Sequence, residues 1–314
     1  MWKLIGGIFV GWGLGSNDSA NIFGTGVAAN VIKYRTAIIL ISIFVVVGAL
    51  LEGHKSFHTV GDMSKLSHMA AFNAAFAAGL CVAAFSYFSL PVSTSQAIMG
   101  AVLGIGMISG IPHLERLYKV IICWVLTPVV AMVCSFVLYP LLGKAFQKAL
   151  MGMHLRSRFI RSALLFAGCY GAYSLGANNV ANVTGVYVGS GLLTPFQASL
   201  IGSLSIVLGV LTYSRKVMHT VGKKIVELDG FSAFVSEFSA AITVHLSTQL
   251  GVPVSSSQAI VGGVTGVGLL KGVRSVSKRT LIEIAAGWVT TPLASGIAAY
   301  MMMKVYLVFS GTGL

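Results

Sequence analysis

A polar decapeptide occurs twice in this chain, and it limits what the chain can fold into. Residues 15–24 read Gly-Ser-Asn-Asp-Ser-Ala-Asn-Ile-Phe-Gly, and residues 176–185 read Gly-Ala-Asn-Asn-Val-Ala-Asn-Val-Thr-Gly. The two copies stand 161 residues apart, each inside an apolar run. Three more landmarks follow in the same order. His58-Thr59-Val60-Gly61 pairs with His219-Thr220-Val221-Gly222 at offset 161. The run Pro91-Val92-Ser93-Thr94-Ser95-Gln96-Ala97 pairs with Pro253-Val254-Ser255-Ser256-Ser257-Gln258-Ala259 at 162, and Trp124/Trp288 and Thr127-Pro128/Thr291-Pro292 pair at 164. The chain therefore reads as a duplicated unit.

Its solvent follows from composition. Of 314 residues, 56% are hydrophobic and 9% charged, where a soluble domain carries about 25% charged residues. That is too little to cover a globule, so the chain reads as an all-α polytopic membrane protein in contact with membrane lipid. The net charge of +13 does not point to nucleic acid, because the bases lie in short loops between apolar runs; it fits positive-inside topology and anionic lipid. Cys81, Cys123, Cys134 and Cys169 sit in apolar segments without CxxC spacing and read as small buried hydrophobes. The apolar run from Met1 to Leu14 looks like a signal peptide, but no cleavage site follows it.

The spans order as A (2–32, breaking around 15–21), B (36–51), a polar loop (52–68), C (69–88), a Pro-Val-Ser tip (90–97), D (98–111) and E (118–142, interrupted at Thr127-Pro128). The second half repeats them as A′ (162–188), B′ (198–213), C′ (231–250), its own tip and E′ (281–303). This divides the chain into a first transmembrane repeat, 1–142, a basic cytoplasmic linker, 143–161, and a second repeat, 162–314. If C–D and C′–D′ are re-entrant hairpins, each half has three full spans and the halves are inverted. The inside then holds 15 basic residues and the outside six, Lys3, Lys55, Lys65, Arg116, Lys119 and Lys304, as the positive-inside rule requires. Both termini come out external. Parallel repeats with fully spanning C and D are the alternative.

Moving an anion into a negative cell needs a place for the anion and one for a driving cation. The tips suit the anion. Proline starts a helix and the serines after it cap one, so D and D′ present free N–H groups and positive dipole ends. Ser93, Thr94, Ser95, Ser255, Ser256 and Ser257 add hydroxyls, and inversion would bring the two tips together. No basic residue lies deep in an apolar segment to do this work. The decapeptides suit the cation: Asn17, Asp18, Asn21, Asn178, Asn179 and Asn182 supply hard oxygens, and breaks in A and A′ would free carbonyls. Such asparagines can instead bond helix to helix, but here they recur in register.

Asp18 is the one carboxylate within either motif, and the one that reads clearly as deep. Glu237 and Glu283 lie in or near spans, Glu237 either lining a pathway or standing near a helix end. His54, His58, His68, His113, His154 and His219 fall at loops or segment ends, His245 reads as packed, and Met301-Met302-Met303 as lipid-facing. No catalytic set, nucleotide loop or metal-spaced Cys/His cluster appears, so the chain reads as no enzyme and needs no cofactor beyond a co-transported ion.

The duplicated Gly-X-Asn-Asp-X-Ala-Asn-X-X-Gly, each followed by a Pro-Val-Ser-X-Ser-Gln element, resembles the inorganic phosphate transporter (PiT) family over nearly the whole chain. The resemblance implies an inverted-repeat carrier with two re-entrant hairpins, often a homodimer, importing phosphate with sodium or protons. It implies that Asn17, Asp18, Asn21, Asn178 and Asn182 hold the cation, and that the tip hydroxyls hold the anion with Gln96 and Gln258 nearby. Sulfate on the same scaffold is the alternative substrate, and an anion channel ranks below both. The chain departs from the family pattern at Asn179, where a second Asp is usual, at the Ser-Gln pairs 95–96 and 257–258, where Thr-His is frequent, and in its short linker. The missing carboxylate predicts a lower cation-to-anion ratio.

Overall fold

The computed structural model describes residues 1–28, 30–63, 66–87, 92–109, 114–149, 153–224, 228–272 and 278–311. Lys65, Leu90, Pro91, His113 and Arg274 lie outside them, as do the side chains of His154, His219 and Glu283.

All described elements are helices. A turn of 3-10 helix, Trp2–Leu4, leads into α1 (Ile5–Asp18), α2 (Ala20–Ala28), α3 (Tyr34–Glu52), α4 (His54–Gly61), α5 (His68–Tyr87), α6 (Thr94–Ser109) and α7 (Leu114–Ala149). Then come α8 (Met153–Gly189), α9 (Pro195–Lys224), α10 (Gly230–Gln249), α11 (Ser256–Lys271) and α12 (Lys278–Ser310). Five are long and apolar enough to cross a bilayer, within α3, α5, α7, α9 and α12. Their outward faces expose large apolar side chains, Ile39, Val125, Leu204 and Leu293 among them, as a lipid-facing surface does.

The duplication extends to the helix boundaries. Tyr34 and Pro195, which open α3 and α9, are 161 residues apart. The openings of α5 and α10 differ by 162, those of α6 and α11 by 162, and those of α7 and α12 by 164. Packing also comes in twos. The α1–α2 unit lies on α9 as α8 lies on α3; α6 lies on α12 as α11 lies on α7.

Glycines set these crossings. A Cβ at Gly15 would overlap the Ile206 carbonyl, and one at Gly176 the Val45 carbonyl; each pair maps onto the other at offset 161. Gly100 and Gly104 meet Pro292 and Gly296, while Gly262 and Gly266 meet Pro128 and Met132. Both numbers rise together in each series, so α6 runs in the same direction as α12, and α11 as α7.

Four expectations are corrected. Helix A breaks at Ser19, as expected, but the second-half helix does not break: α8 runs unbroken from Met153 to Gly189. The first copy has Asp18-Ser19, whose short polar side chains compete with the helical backbone. The second has Asn179-Val180, and Val180 offers no such competition. Second, the polar loop 52–68 contains α4, which continues α3 after a bend at Gly53 and packs on α8. Third, neither Thr-Pro pair interrupts its helix. The hydroxyls of Thr127 and Thr291 bond the Cys123 and Gly287 carbonyls, at 2.6 Å each, one residue before the carbonyl each proline leaves without a helical donor. Fourth, Met303 is buried and its sulfur accepts a 3.3 Å hydrogen bond from Asn73, so only part of the methionine run faces outward. Helix also covers the described part of 143–161, in the end of α7 and the start of α8.

Candidate anion and cation site

The two tips meet in the middle of the molecule. Proline cannot continue a helix, and the serine two residues on caps the next one. Ser255 Oγ accepts from the Gln258 amide at 3.3 Å, and α11 starts at Ser256. Ser93 Oγ does the same for the Gln96 amide at 3.4 Å, and α6 starts at Thr94. Ser95 Oγ then donates to the Val254 carbonyl at 2.8 Å, joining tip to tip.

Each decapeptide serves the other half's tip. Asn182 Nδ2 donates to Ser95 Oγ at 2.8 Å, with Asn179 Oδ1 3.2 Å from the same hydroxyl. At the positions related by the repeat, Asn21 Nδ2 donates to Ser257 Oγ at 2.9 Å, and Ser257 Oγ reaches Asp18 Oδ1 at 3.5 Å. Asn178 holds its own half's tip: it donates to the Val252 carbonyl at 3.0 Å and to Thr248 Oγ1 at 3.1 Å, and accepts from the Val254 amide at 2.8 Å. Asn17 is half-buried at the equivalent place in α1.

Several polar atoms here are buried without a hydrogen-bond partner. They are Thr94 Oγ1, Gln96 Oε1, Asn179 Nδ2, Asn182 Oδ1, Ser256 Oγ and Gln258 Oε1. The Ser256 hydroxyl stands near the Asp18 carboxylate but without good hydrogen-bond geometry. An orphaned buried polar group costs about 1–3 kcal/mol, so six in the two tips and the second motif mark this region as a candidate ligand site. Donors and acceptors are both present, and the orphans again come in pairs, Thr94 with Ser256 and Gln96 with Gln258.

The sequence left Glu237 between lining a pathway and standing near a helix end, and outside the candidate site. Glu237 is buried within α10, well inside the helix, and Thr25 of α2 donates a hydrogen bond to it. It lines a small cavity with Asn21 and Ser256. Asp18 is thus not the sole deep carboxylate, although both equivalents, Asn179 and Ala75, are uncharged. A signal existed: Glu237 stands well inside an apolar span at a fixed distance before the second tip, where the first half has alanine. His245 is half-buried and hydrogen-bonded to Tyr170 at 2.7 Å and Glu52 at 3.1 Å. It belongs to a separate network, as packing predicted.

An all-helical bundle with an apolar outside and paired helix N-termini at a central polar cluster is a polytopic membrane protein of the transporter class. Residues 14–299 match the model of the phosphate transporter family, and the chain belongs to that family. A protein of Methanocaldococcus jannaschii named as a phosphate permease is 30% identical, with 93% of each chain covered. Another so named, from Pyrococcus furiosus, is 27% identical over 97% of this chain and 95% of that one. Among solved structures, one titled "The sodium-dependent phosphate transporter" superposes with a TM-score of 0.86 at 27% identity, covering 97% of this chain and all of that one. The family transports; its members are not enzymes, in keeping with the absence of a catalytic set from the sequence.

Proposed function

We propose that this protein is a secondary carrier that imports inorganic phosphate across the cell membrane together with sodium. The observation that carries the reading is the meeting of two helix N-termini whose first-turn hydroxyls, Thr94 and Ser256, are buried and unpartnered, with Ser256 near Asp18. Helix N-termini favour anions through free N–H groups and the dipole. Thr94, Ser95, Ser256 and Ser257 hold the anion in this reading, with Gln96 and Gln258 beside it, while Ser93 and Ser255 cap the helices that present it. Asp18, Asn17, Asn21, Asn178, Asn179 and Asn182 supply oxygens to the cation. The superposed structure's title supports sodium as the coupling ion.

Phosphate is favoured over sulfate by the acceptors. Protonated phosphate carries O–H groups and needs acceptors as well as donors, whereas sulfate needs donors only. Gln96 Oε1 and Gln258 Oε1 are buried acceptors without partners.

Inverted repeats with re-entrant hairpins fit the geometry. Helices α6 and α11 have 16 residues each, about 24 Å at ~1.5 Å per residue, short of the ~30 Å hydrocarbon core. Only residues 110–113 separate α6 from α7, and so short a connection joins antiparallel helices. With α6 running parallel to α12, α7 and α12 then run opposite ways. Together with the basic residues this supports external termini. The test is competitive uptake of labelled phosphate and sulfate into proteoliposomes, with sodium and proton gradients imposed separately. Phosphate uptake driven by sodium alone is the expected result. Sulfate preference, or indifference to sodium, rejects the reading.

A further inference from the structure

We propose that Glu237 is the anchor of a second monovalent-cation site, adjacent to the Asp18 cluster and found in one half only; this rests on the sodium-coupled reading above. Glu237 is 4% exposed. Among the described residues, it and Asp18 are the buried carboxylates, and no cationic side chain forms an ion pair with it. Thr25 Oγ1 donates to Oε1, while Oε2 is buried without a partner. A buried carboxylate with one oxygen unpaired is costly in the membrane interior and marks an ion site or pathway.

The surroundings select the ligand. Glu237 shares a partly open cavity of about 30 Å³ with Asn21 and Ser256, bounded by aliphatic walls that include Leu175 and Ile260. A water needs about 10–15 Å³, so the space admits a small ion or a water. Its polar lining is hard oxygen with a single negative charge: the carboxylate, the Ser256 hydroxyl, which lacks a partner, and the Asn21 carboxamide, whose Nδ2 is committed to Ser257. Hard oxygens suit sodium, and one carboxylate offsets one charge.

The repeat shows that packing does not require this pair. At the related positions stand Ala75 for Glu237 and Val186 for Thr25, both buried. The same scaffold therefore closes without an acid or a hydroxyl there. With Asp18 and Glu237 both on the side of the second tip, a bound oxyanion faces two carboxylates. Cations on those carboxylates are what make its binding favourable, which ties anion affinity to cation occupancy.

The experiment measures equilibrium binding of labelled sodium to the purified full chain, and sodium-dependent phosphate uptake in proteoliposomes, for wild type, Glu237→Gln and Thr25→Val. Gln keeps the shape and still accepts from Thr25, so a purely structural role survives it. The expected result for Glu237→Gln is one bound sodium fewer per chain and a sodium half-saturation raised at least tenfold, with the Asp18-dependent sodium retained. Thr25→Val, which copies the apolar pair of the first half, is expected to raise half-saturation severalfold and stands in if Glu237→Gln does not fold. A folded variant with wild-type sodium stoichiometry and half-saturation overturns the Glu237 site and leaves sodium coupling intact. A wild type that neither binds nor requires sodium overturns both.

Discussion

The two halves share a scaffold and differ in chemistry. Helix openings, glycine crossings and tip hydrogen bonds repeat at offsets of 161 to 164. The charges do not. On one side of the tips stand Asp18 and Glu237; at the related positions stand Asn179 and Ala75. At the tightest crossings, Gly15 with Gly176 and Gly100 with Gly262, both halves keep glycine, because backbone meets backbone there. A side chain facing an internal cavity can change as long as its charge is matched by a ligand. Duplication thus preserved the frame while the buried carboxylates settled on one side.

The sharpest way to break this comparison is to exchange the charges. Asp18→Asn should remove the charge that holds a buried cation, at about 3–5 kcal/mol, more than a hundredfold in sodium affinity. Isothermal titration with sodium measures it, with size-exclusion chromatography to show that the variant folds. Asn179→Asp, the reverse change, should raise sodium affinity or add a bound sodium, read from the same titration and from the reversal potential. Unchanged titrations in both would mean that charge at these positions does not set coupling.

The shared frame is tested next. Gly15→Ala and Gly176→Ala each drive a methyl into a facing backbone carbonyl, which cannot rotate away. Each should cost about 1–3 kcal/mol or more, seen as a lower midpoint of thermal unfolding in detergent, and the two costs should be similar. A loss confined to one half would break the equivalence.

At the tips, Thr94→Ala and Ser256→Ala should each weaken phosphate binding by about 0.5–3 kcal/mol, with Ser256 the larger because it also faces the Glu237 cavity. Calorimetric titration with phosphate at saturating sodium checks both.

The smallest effect concerns helix caps. Ser67 caps α5, and Asp229, at the related position, caps α10. Removing either side chain should cost about 0.5–2 kcal/mol. Only the second cap should respond to acid. Partial burial pushes the Asp229 carboxyl up, but the Lys271 ammonium and the Ser232 N–H outweigh it and hold the carboxyl below the ordinary carboxylate range. Its contribution is complete above that range and is lost as pH falls through the lowered value. Unfolding midpoints of wild type and Asp229→Asn across acidic pH should converge as pH drops.

Much of this protein was legible in its sequence. The repeat, the helix order and the helix starts after Pro-Val-Ser follow from patterns local in the chain: hydrophobic runs, breakers and caps. The break near Ser19 was legible because Asp and Ser are residue types that favour helix ends over helix interiors. The expected break in α8 failed because helix continuity depends on one position within the motif, Val180 in place of Ser19. The tertiary structure alone decided which motif bonds which tip. Asn21 and Ser257 are 236 residues apart, and Asn182 and Ser95 are 87 apart; no spacing rule reaches so far. It alone decided the standing of Glu237, because whether a carboxylate faces lipid, water or a cavity depends on the rotation of α10 against α2 and α11, and that rotation is set by packing between helices.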